Sequence, residues 1–175
     1  MTAADDFVEF ATAAAPRLRR TAYLMCGNWH TAEDLAQTTL TKMFVSWRRV
    51  RRNDAVFAYA SRTLVNTYIA STRARRSSEV ITDVLPEQAA VSDSPETRML
   101  VMQALGTLAP RSRAVVVLRY FGDMSVEEVA ASLGCSTGTV KSQCARALEK
   151  MRNTLDGHQE DGRRADGHQE QRRHG

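Results

Sequence analysis

The chain has 175 residues with 43% hydrophobic side chains and a formal net charge of +4, enough for one globular domain or two small ones. No run of 18 apolar residues occurs and the three cysteines form no CxxC pair, which disfavours a transmembrane segment and a zinc site. The acidic N-terminus does not resemble a signal peptide, so we expect a cytoplasmic protein with no cofactor.

The charges are unevenly distributed along the chain. Residues 17–76 carry 12 basic side chains against three acidic ones, whereas residues 77–97 carry five acids and no base. Residues 98–155 are basic again, with eight bases against four acids. Two basic blocks separated by an acidic segment fit two surfaces that meet a polyanion, although solvated charged faces would give the same pattern.

Three helices are predicted in the N-terminal half. The first covers about residues 3–25 and is expected to be interrupted or bent near Pro16. Thr31 is expected to cap the second helix, which has an apolar stripe that includes Phe44 and Trp47. The third is predicted over residues 54–73.

The third helix has a polar stripe opposite its core face. Side chains at spacings of three and four form this stripe: Tyr59, Arg62, Asn66 and Arg73. An aromatic ring, an amide and cations on one face can stack on unpaired bases and neutralise phosphates. An ordinary surface helix with an incidental tyrosine is the alternative.

Residues 77–93 have the composition of a linker, being acidic with no sustained hydrophobic period. Ser94 followed by Pro95 then predicts a new helix start, and Pro110 predicts another. The pentapeptide DGHQE occurs twice after residue 155 in a segment that is nearly free of apolar residues. We predict that this tail, residues 156–175, is disordered.

Residues 125–152 predict a helix-turn-helix. Ser125 and Glu128 have the spacing of a capping box, Gly134 suits a tight turn, and Val140 has the position of an apolar plug between the helices. The outer face of the second helix carries hydroxyls and cations suited to base edges and phosphates, namely Thr137, Thr139, Lys141, Ser142 and Arg146. A plain helical hairpin is the alternative.

Several segments together resemble the extracytoplasmic-function (ECF) group of bacterial sigma factors. They are residues 32–37 (AEDLAQ), 59–66 (YASRTLVN), 108–113 (LAPRSR), 124–130 (MSVEEVA) and 138–142 (GTVKS), and the resemblance covers about residues 11–155. It implies an all-α fold of two small helical domains joined by a flexible linker. The domains would be residues 1–76 (region 2) and 94–155 (region 4), with the linker at 77–93 and the tail at 156–175.

The resemblance also implies partners and site residues. The partners would be core RNA polymerase, through its β′ clamp helices and β flap, promoter DNA, and an anti-sigma factor of the kind many members have; no membrane insertion is expected. Core polymerase would be contacted by Asp34, Gln37, Phe44 and Trp47. The −10 element would be opened and read by Val50, Arg51, Arg52, Asn53, Asp54, Tyr59, Arg62, Asn66 and Arg73. The −35 duplex would be read by Thr137, Thr139, Lys141, Ser142 and Arg146.

Two positions depart from the family's usual residues. Tyr59 stands where the family often has tryptophan, and it can still stack on a base. Lys141 stands where the family usually has arginine, so bidentate reading of guanine is lost and a phosphate contact is expected instead.

The sequence therefore predicts a sigma factor, which is not an enzyme. A stand-alone helix-turn-helix regulator with a ligand-sensing or dimerising N-terminal half is one alternative. An adaptor that binds polymerase without reading promoters is another. A nuclease built on Glu33 and Asp34 is disfavoured, because adjacent helical residues point to different faces.

Overall fold

The computed structural model describes residues 2–51, 55–76 and 94–171, without the side chains of residues 75, 76 and 158–171. Every regular element in these ranges is helical, as the sequence predicts. The helices are α1 (Ala3–Cys26), α2 (Trp29–Val50), α3 (Val56–Arg76), α4 (Pro95–Gly106), α5 (Pro110–Val116), α6 (Val126–Leu133) and α7 (Thr137–Gln171), and α5 continues into a π-helical segment, Val117–Phe121.

Polar side chains and prolines set most of the helix starts. Ser94 caps α4 and Pro95 lies in its first turn, while Pro110 opens α5, so both predicted starts are confirmed. The predicted cap of α2 was wrong. Asn28, in extended conformation, accepts a hydrogen bond from the backbone N–H of Thr31 at 2.9 Å, so the helix begins at Trp29.

α1 continues through Pro16 as one helix, so the predicted interruption is absent, while a bend at this position stays a prediction. Pro16 is exposed, and the helix packs against α2 and α3 through side chains that include the buried Leu18 and Leu24. Tertiary packing of this kind offsets the loss of one backbone hydrogen bond at a proline.

The two halves of the chain share one hydrophobic core. Buried residues of the N-terminal half (α1–α3) and of the C-terminal half (α4–α7) belong to a single continuous cluster. α1 packs against α5 and the π-helical segment, and α3 packs against α5 and α6. Each half is small and would bury limited apolar area alone, so their association removes further apolar surface from water.

α7 is longer than the sequence predicts. It continues to Gln171, so the predicted disorder of the tail was wrong for residues 156–171; residues 172–175 lie outside the described part. Adding residues to an existing helix costs far less than nucleating a new one, which accounts for the continuation. The predicted linker, residues 77–93, also lies outside the described residues. No helix in the described ranges is long and apolar enough to cross a membrane.

Candidate nucleic-acid interfaces

The helix-turn-helix forms as its local sequence predicts. The Ser125 Oγ accepts a hydrogen bond from the backbone N–H of Glu128 at 3.1 Å, and the Ser125 N–H donates to the Glu128 Oε2 at 2.7 Å. Gly134 ends α6 in the left-handed region, with φ of 62°. The Ser136 Oγ then accepts from the backbone N–H of Thr139 at 3.1 Å in the first turn of α7. Ser125, Glu128 and Gly134 therefore have the roles that the sequence predicts for them.

Buried side chains fix the angle between α6 and α7. Val140 and Val129 are fully buried. Ala130 is only 5% exposed, and its small side chain lets the two helices approach each other closely. The Arg111 guanidinium donates to the carbonyl of Leu133 at 2.9 Å and so satisfies an acceptor in the last turn of α6. The orientation of α7 is therefore set by packing and by a cap from a third helix.

The predicted duplex-reading residues lie on the outer side of α7. We call this set the α7 face; its residues are exposed except for Thr139, which is half-buried: Thr137, Thr139, Lys141, Ser142 and Arg146. The Ser142 Oγ donates to the carbonyl of Thr139 at 3.0 Å. The Arg146 guanidinium folds back along the helix, with Nε 3.3 Å from the Ser142 carbonyl oxygen.

The predicted strand-reading residues of α3 also share one face. We call Tyr59, Arg62, Asn66 and Arg73 the α3 stripe; Tyr59 is half-buried and the other three are exposed. Ala60, Leu64 and Tyr68, on the opposite side, are buried in the core. Burial raises the pKa of the Tyr68 phenol, and the nearby Arg113 opposes that shift, so this tyrosine is a neutral core residue at physiological pH.

The start of the α3 stripe faces the other half of the molecule. Tyr59 and Arg62 line a cleft of about 400 Å³ together with Glu127, Glu128 and Ala131 of α6. Asn66 and Arg73 are not among the residues that line it. The N-terminal part of the stripe therefore lines a cleft with α6, whereas the C-terminal part does not.

Only part of the predicted loop before α3 can be placed. Val50 is 4% exposed and packs in the core, and the Arg51 Nη1 lies 2.5 Å from the Asp6 Oδ2 in an ion pair. Neither side chain is free for DNA in this arrangement. Arg52, Asn53 and Asp54 lie outside the described residues.

The predicted polymerase-contacting residues divide between a surface and the core. We call Asp34, Gln37 and Phe44 the α2 face, because all three are exposed at helical spacing. Trp47 lies elsewhere: it is 5% exposed, with ring centroids 5.2 Å from Phe7 and 5.0 Å from Phe10. Its indole supports α2 from inside, because the helical turn directs position 47 toward α1.

The sequence pattern did not single out Val45. This residue is 82% exposed beside Phe44, which is itself 56% exposed, so Val45 adds apolar surface at the Phe44 end of the α2 face. The sequence does contain a signal for it, because Val45 is an apolar residue that does not fit the three-and-four spacing of the buried residues of α2. The Phe44 ring also packs edge-on against Phe7, with ring centroids 5.0 Å apart, so Val45 is the more exposed of the two apolar side chains.

Comparisons with known proteins agree with this geometry. The Sigma-70 region 2 family matches residues 10–78, and the Sigma-70, region 4 family matches residues 98–151. The RNA polymerase sigma-E factor of Streptomyces avermitilis is 40% identical over 161 residues, covering 90% of this chain and 89% of the relative. The ECF RNA polymerase sigma factor SigW of Bacillus subtilis is 27% identical and covers 86% of this chain and 89% of the relative.

Solved structures show the same fold. The sigma factor RpoE of Bartonella quintana, solved in complex with the anti-sigma factor NepR, superposes with a TM-score of 0.74 at 26% identity, covering 86% of this chain and 97% of that one. CnrH, solved with the cytosolic domain of CnrY, gives a TM-score of 0.65 at 23% identity, covering 86% of this chain and 88% of that one. The chain therefore belongs to the sigma-70 family, within its ECF group.

Proposed function

We propose that this protein binds core RNA polymerase and directs it to a subset of promoters, with the α7 face on the −35 duplex and the α3 stripe on the opened −10 strand. One observation carries the proposal: a sigma-70 fold presents two chemically different polar faces on two helices from opposite halves of the chain. The boundary between the two working domains is proposed at residues 77–93.

The composition of the α7 face suits duplex DNA. A helix with hydroxyls and cations in its first turns can enter the major groove, where such groups meet base edges and phosphates. Thr137 and Lys141 are exposed there, and Lys141 has three N–H donors suited to a phosphate. We therefore assign affinity to Lys141 and base reading to Ser142 and Arg146.

The composition of the α3 stripe suits a single strand. Bases that leave the stack need a ring or planar group to pack on and partners for their exposed edges. Tyr59 supplies the ring, Asn66 supplies an amide with donors and an acceptor, and Arg62 and Arg73 supply positive charge. The loop residues 50–54 would complete the base pocket after rearrangement, because Val50 is buried here.

The α2 face would contact the polymerase. Asp34 and Gln37 offer polar partners, and Phe44 with Val45 offers apolar area that would be buried in a complex. Linking two DNA contacts in one chain raises the local concentration of the second once the first is made. The protein would act in the cytoplasm, and by analogy with the structure that contains NepR we propose that an anti-sigma factor can bind it.

The test is transcription in vitro with core polymerase and a library of genomic fragments, followed by mapping of the start sites. We expect starts that require both the protein and core polymerase and that share two elements upstream. If no such start appears and the protein alone binds a palindromic duplex tightly, it is instead a stand-alone regulator.

A matched pair of variants tests the polymerase contact. Asp34→Ala should weaken binding to core polymerase by about tenfold. Truncation of a side chain at an interface hot spot costs more than about 1 kcal/mol of binding free energy. Glu9→Ala, which removes an exposed acid from α1, should have no effect. Equal affinities of the two variants for core polymerase, measured by fluorescence titration, would remove Asp34 from the interface.

A further inference from the structure

We propose that a pocket at the junction of α1, α2, α3 and α5 binds a small carboxylate ligand that also carries a hydroxyl or amino group. The pocket has a volume of about 260 Å³, and its lining includes Cys26, Tyr68, Thr72 and Arg113. None of the residues that we assign to DNA or to polymerase lines it. The proposal is therefore independent of the proposed function.

Two donors of the pocket lack an acceptor within the described residues. The Tyr68 side chain is 2% exposed and lines the pocket, yet its hydroxyl donates to no other described residue. The Arg113 Nε–H is buried and also has no partner. A buried donor without an acceptor costs free energy, so native proteins rarely leave one. Two such donors at one pocket indicate a ligand that presents acceptor oxygens.

The two donors lie close enough to act on the same ligand group. Burial raises the pKa of the Tyr68 phenol, and the charge of Arg113 opposes this shift from nearby. The phenol therefore keeps its proton at physiological pH and acts as a donor. A neutral O–H beside a guanidinium N–H suits the oxygens of an anionic group.

The charge of the pocket favours a carboxylate. Arg113 is the only charged residue among the described residues that line it. Its Nη1 donates to the carbonyl of Met25 at 2.8 Å, and its Nη2 donates to the carbonyls of Gly106 at 2.9 Å and Leu108 at 3.1 Å. These three acceptors hold the guanidinium in place but carry no net charge. One uncompensated positive charge is matched by one negative charge, as a carboxylate supplies, rather than by the two of a phosphate.

The hydroxyls of the pocket call for a donor on the ligand. The Ser71 Oγ donates to the carbonyl of Tyr68 at 2.7 Å, and the Thr72 Oγ1 donates to the carbonyl of Ile69 at 2.8 Å. Each hydroxyl has only one proton, so both oxygens can only accept from a ligand. A hydroxyl or amino group beside the carboxylate would supply the missing donor.

The size and position of the pocket set the size of the ligand. Its volume lies just below the range of about 300–1,000 Å³ that is typical of sites for drug-sized molecules. The ligand is therefore smaller than these. Cys26, Thr72 and Arg113 are half-buried, so the pocket can be reached from solvent.

Two conservative variants remove one ligand contact each. Tyr68→Phe deletes only the unpartnered hydroxyl, and its matched control is Tyr23→Phe, a buried tyrosine that does not line the pocket. Thr72→Val deletes an acceptor. Its matched control is Thr63→Val, because the Thr63 hydroxyl also donates to a carbonyl of its own helix, at 2.9 Å, and Thr63 does not line the pocket.

Isothermal titration calorimetry of the full-length chain measures binding. The probes are lactate, glycerate and serine, with propionate and inorganic phosphate as comparisons. We expect at least one of the first three to bind, propionate to bind about tenfold more weakly, and phosphate not to bind. Tyr68→Phe should weaken binding by about tenfold or more and Thr72→Val by about threefold or more, with both controls unchanged.

Alkylation of cysteines locates the bound probe. Cys26 lines the pocket, whereas Cys135 is also half-buried but does not line it. A saturating probe should slow the reaction of Cys26 with iodoacetamide at least about fivefold and leave Cys135 unchanged, as followed by mass spectrometry.

Three results would overturn the proposal. They are the absence of binding by lactate, glycerate and serine at 10 mM or so, binding of phosphate in preference to all three, and binding that neither variant weakens. Circular dichroism checks that each variant is folded, and if Thr72→Val is not, Tyr68→Phe alone decides the question.

Discussion

The α7 face and the α3 stripe are two nucleic-acid surfaces that depend on the rest of the molecule to different degrees. The α7 face is built by one short stretch of chain, from the Ser125 cap through Gly134 to α7. The α3 stripe is on a helix that contacts elements of both halves, and its first two residues line a cleft with α6. The first surface is thus formed by local sequence, whereas the surroundings of the second depend on how the two halves pack together.

The largest expected effects come from one substitution on each surface. Arg146→Ala should weaken binding to the −35 duplex by roughly tenfold or more, because a side chain at the groove is lost. Asn66→Ala should leave that duplex affinity unchanged and instead weaken opening of the −10 region in the polymerase complex by about tenfold. Permanganate reactivity of unpaired thymines measures the opening, and a gel-shift assay measures the duplex. A loss of both activities in either variant would contradict the separate assignments.

A smaller effect is expected from the turn that builds the α7 face. Gly134 has a φ of 62°, and a Cβ added to it would have no other heavy atom within 4 Å, so Gly134→Ala changes only the backbone energy. We expect a loss of about 1–2 kcal/mol in the free energy of unfolding, the cost of the left-handed conformation for an L-residue.

Gly138→Ala is the control for that measurement, because Gly138 is within α7 and its φ is not positive. Alanine there should raise stability by up to about 1 kcal/mol. Urea unfolding followed by circular dichroism compares the two variants. Equal changes in both would show that the turn at Gly134 is not held in the left-handed region.

The smallest expected effect concerns Lys141. If this side chain contacts only a phosphate, Lys141→Ala should remove one phosphate contact from the −35 duplex complex. The negative slope of log affinity against log salt should then be less steep by about 0.9, with base preference unchanged. Lys150→Ala, two to three turns further along α7, should leave the slope unchanged. A change in base preference would instead assign Lys141 to a base edge.

The sequence predicted most elements whose causes are local. The capping box of α6, the glycine turn and the prolines at the starts of α4 and α5 were all confirmed. The failures were also informative. Thr31 was predicted as a cap although Asn28 stands three residues earlier, and α1 tolerates Pro16 because packing along the helix outweighs one lost hydrogen bond.

The sequence did not reveal which charged and aromatic side chains are free to contact a partner and which are engaged inside the protein. Arg51 is paired with Asp6, and Arg17 and Arg113 bind backbone carbonyls of the opposite half. Trp47, expected at the polymerase surface, packs instead against Phe7 and Phe10. Long-range partners decide these outcomes, and no spacing within one helix encodes them.

The sequence by itself determined the family resemblance, the helical class and the local geometry of the helix-turn-helix. These follow from periodicity, caps and turn residues, which act over a few positions. Only the tertiary structure decided that α6 lines a cleft with Tyr59 and Arg62 and that the two halves share a core. The physical reason is separation: contacts such as Arg17 to Gly122 join residues 105 positions apart, and they form only when the whole chain packs.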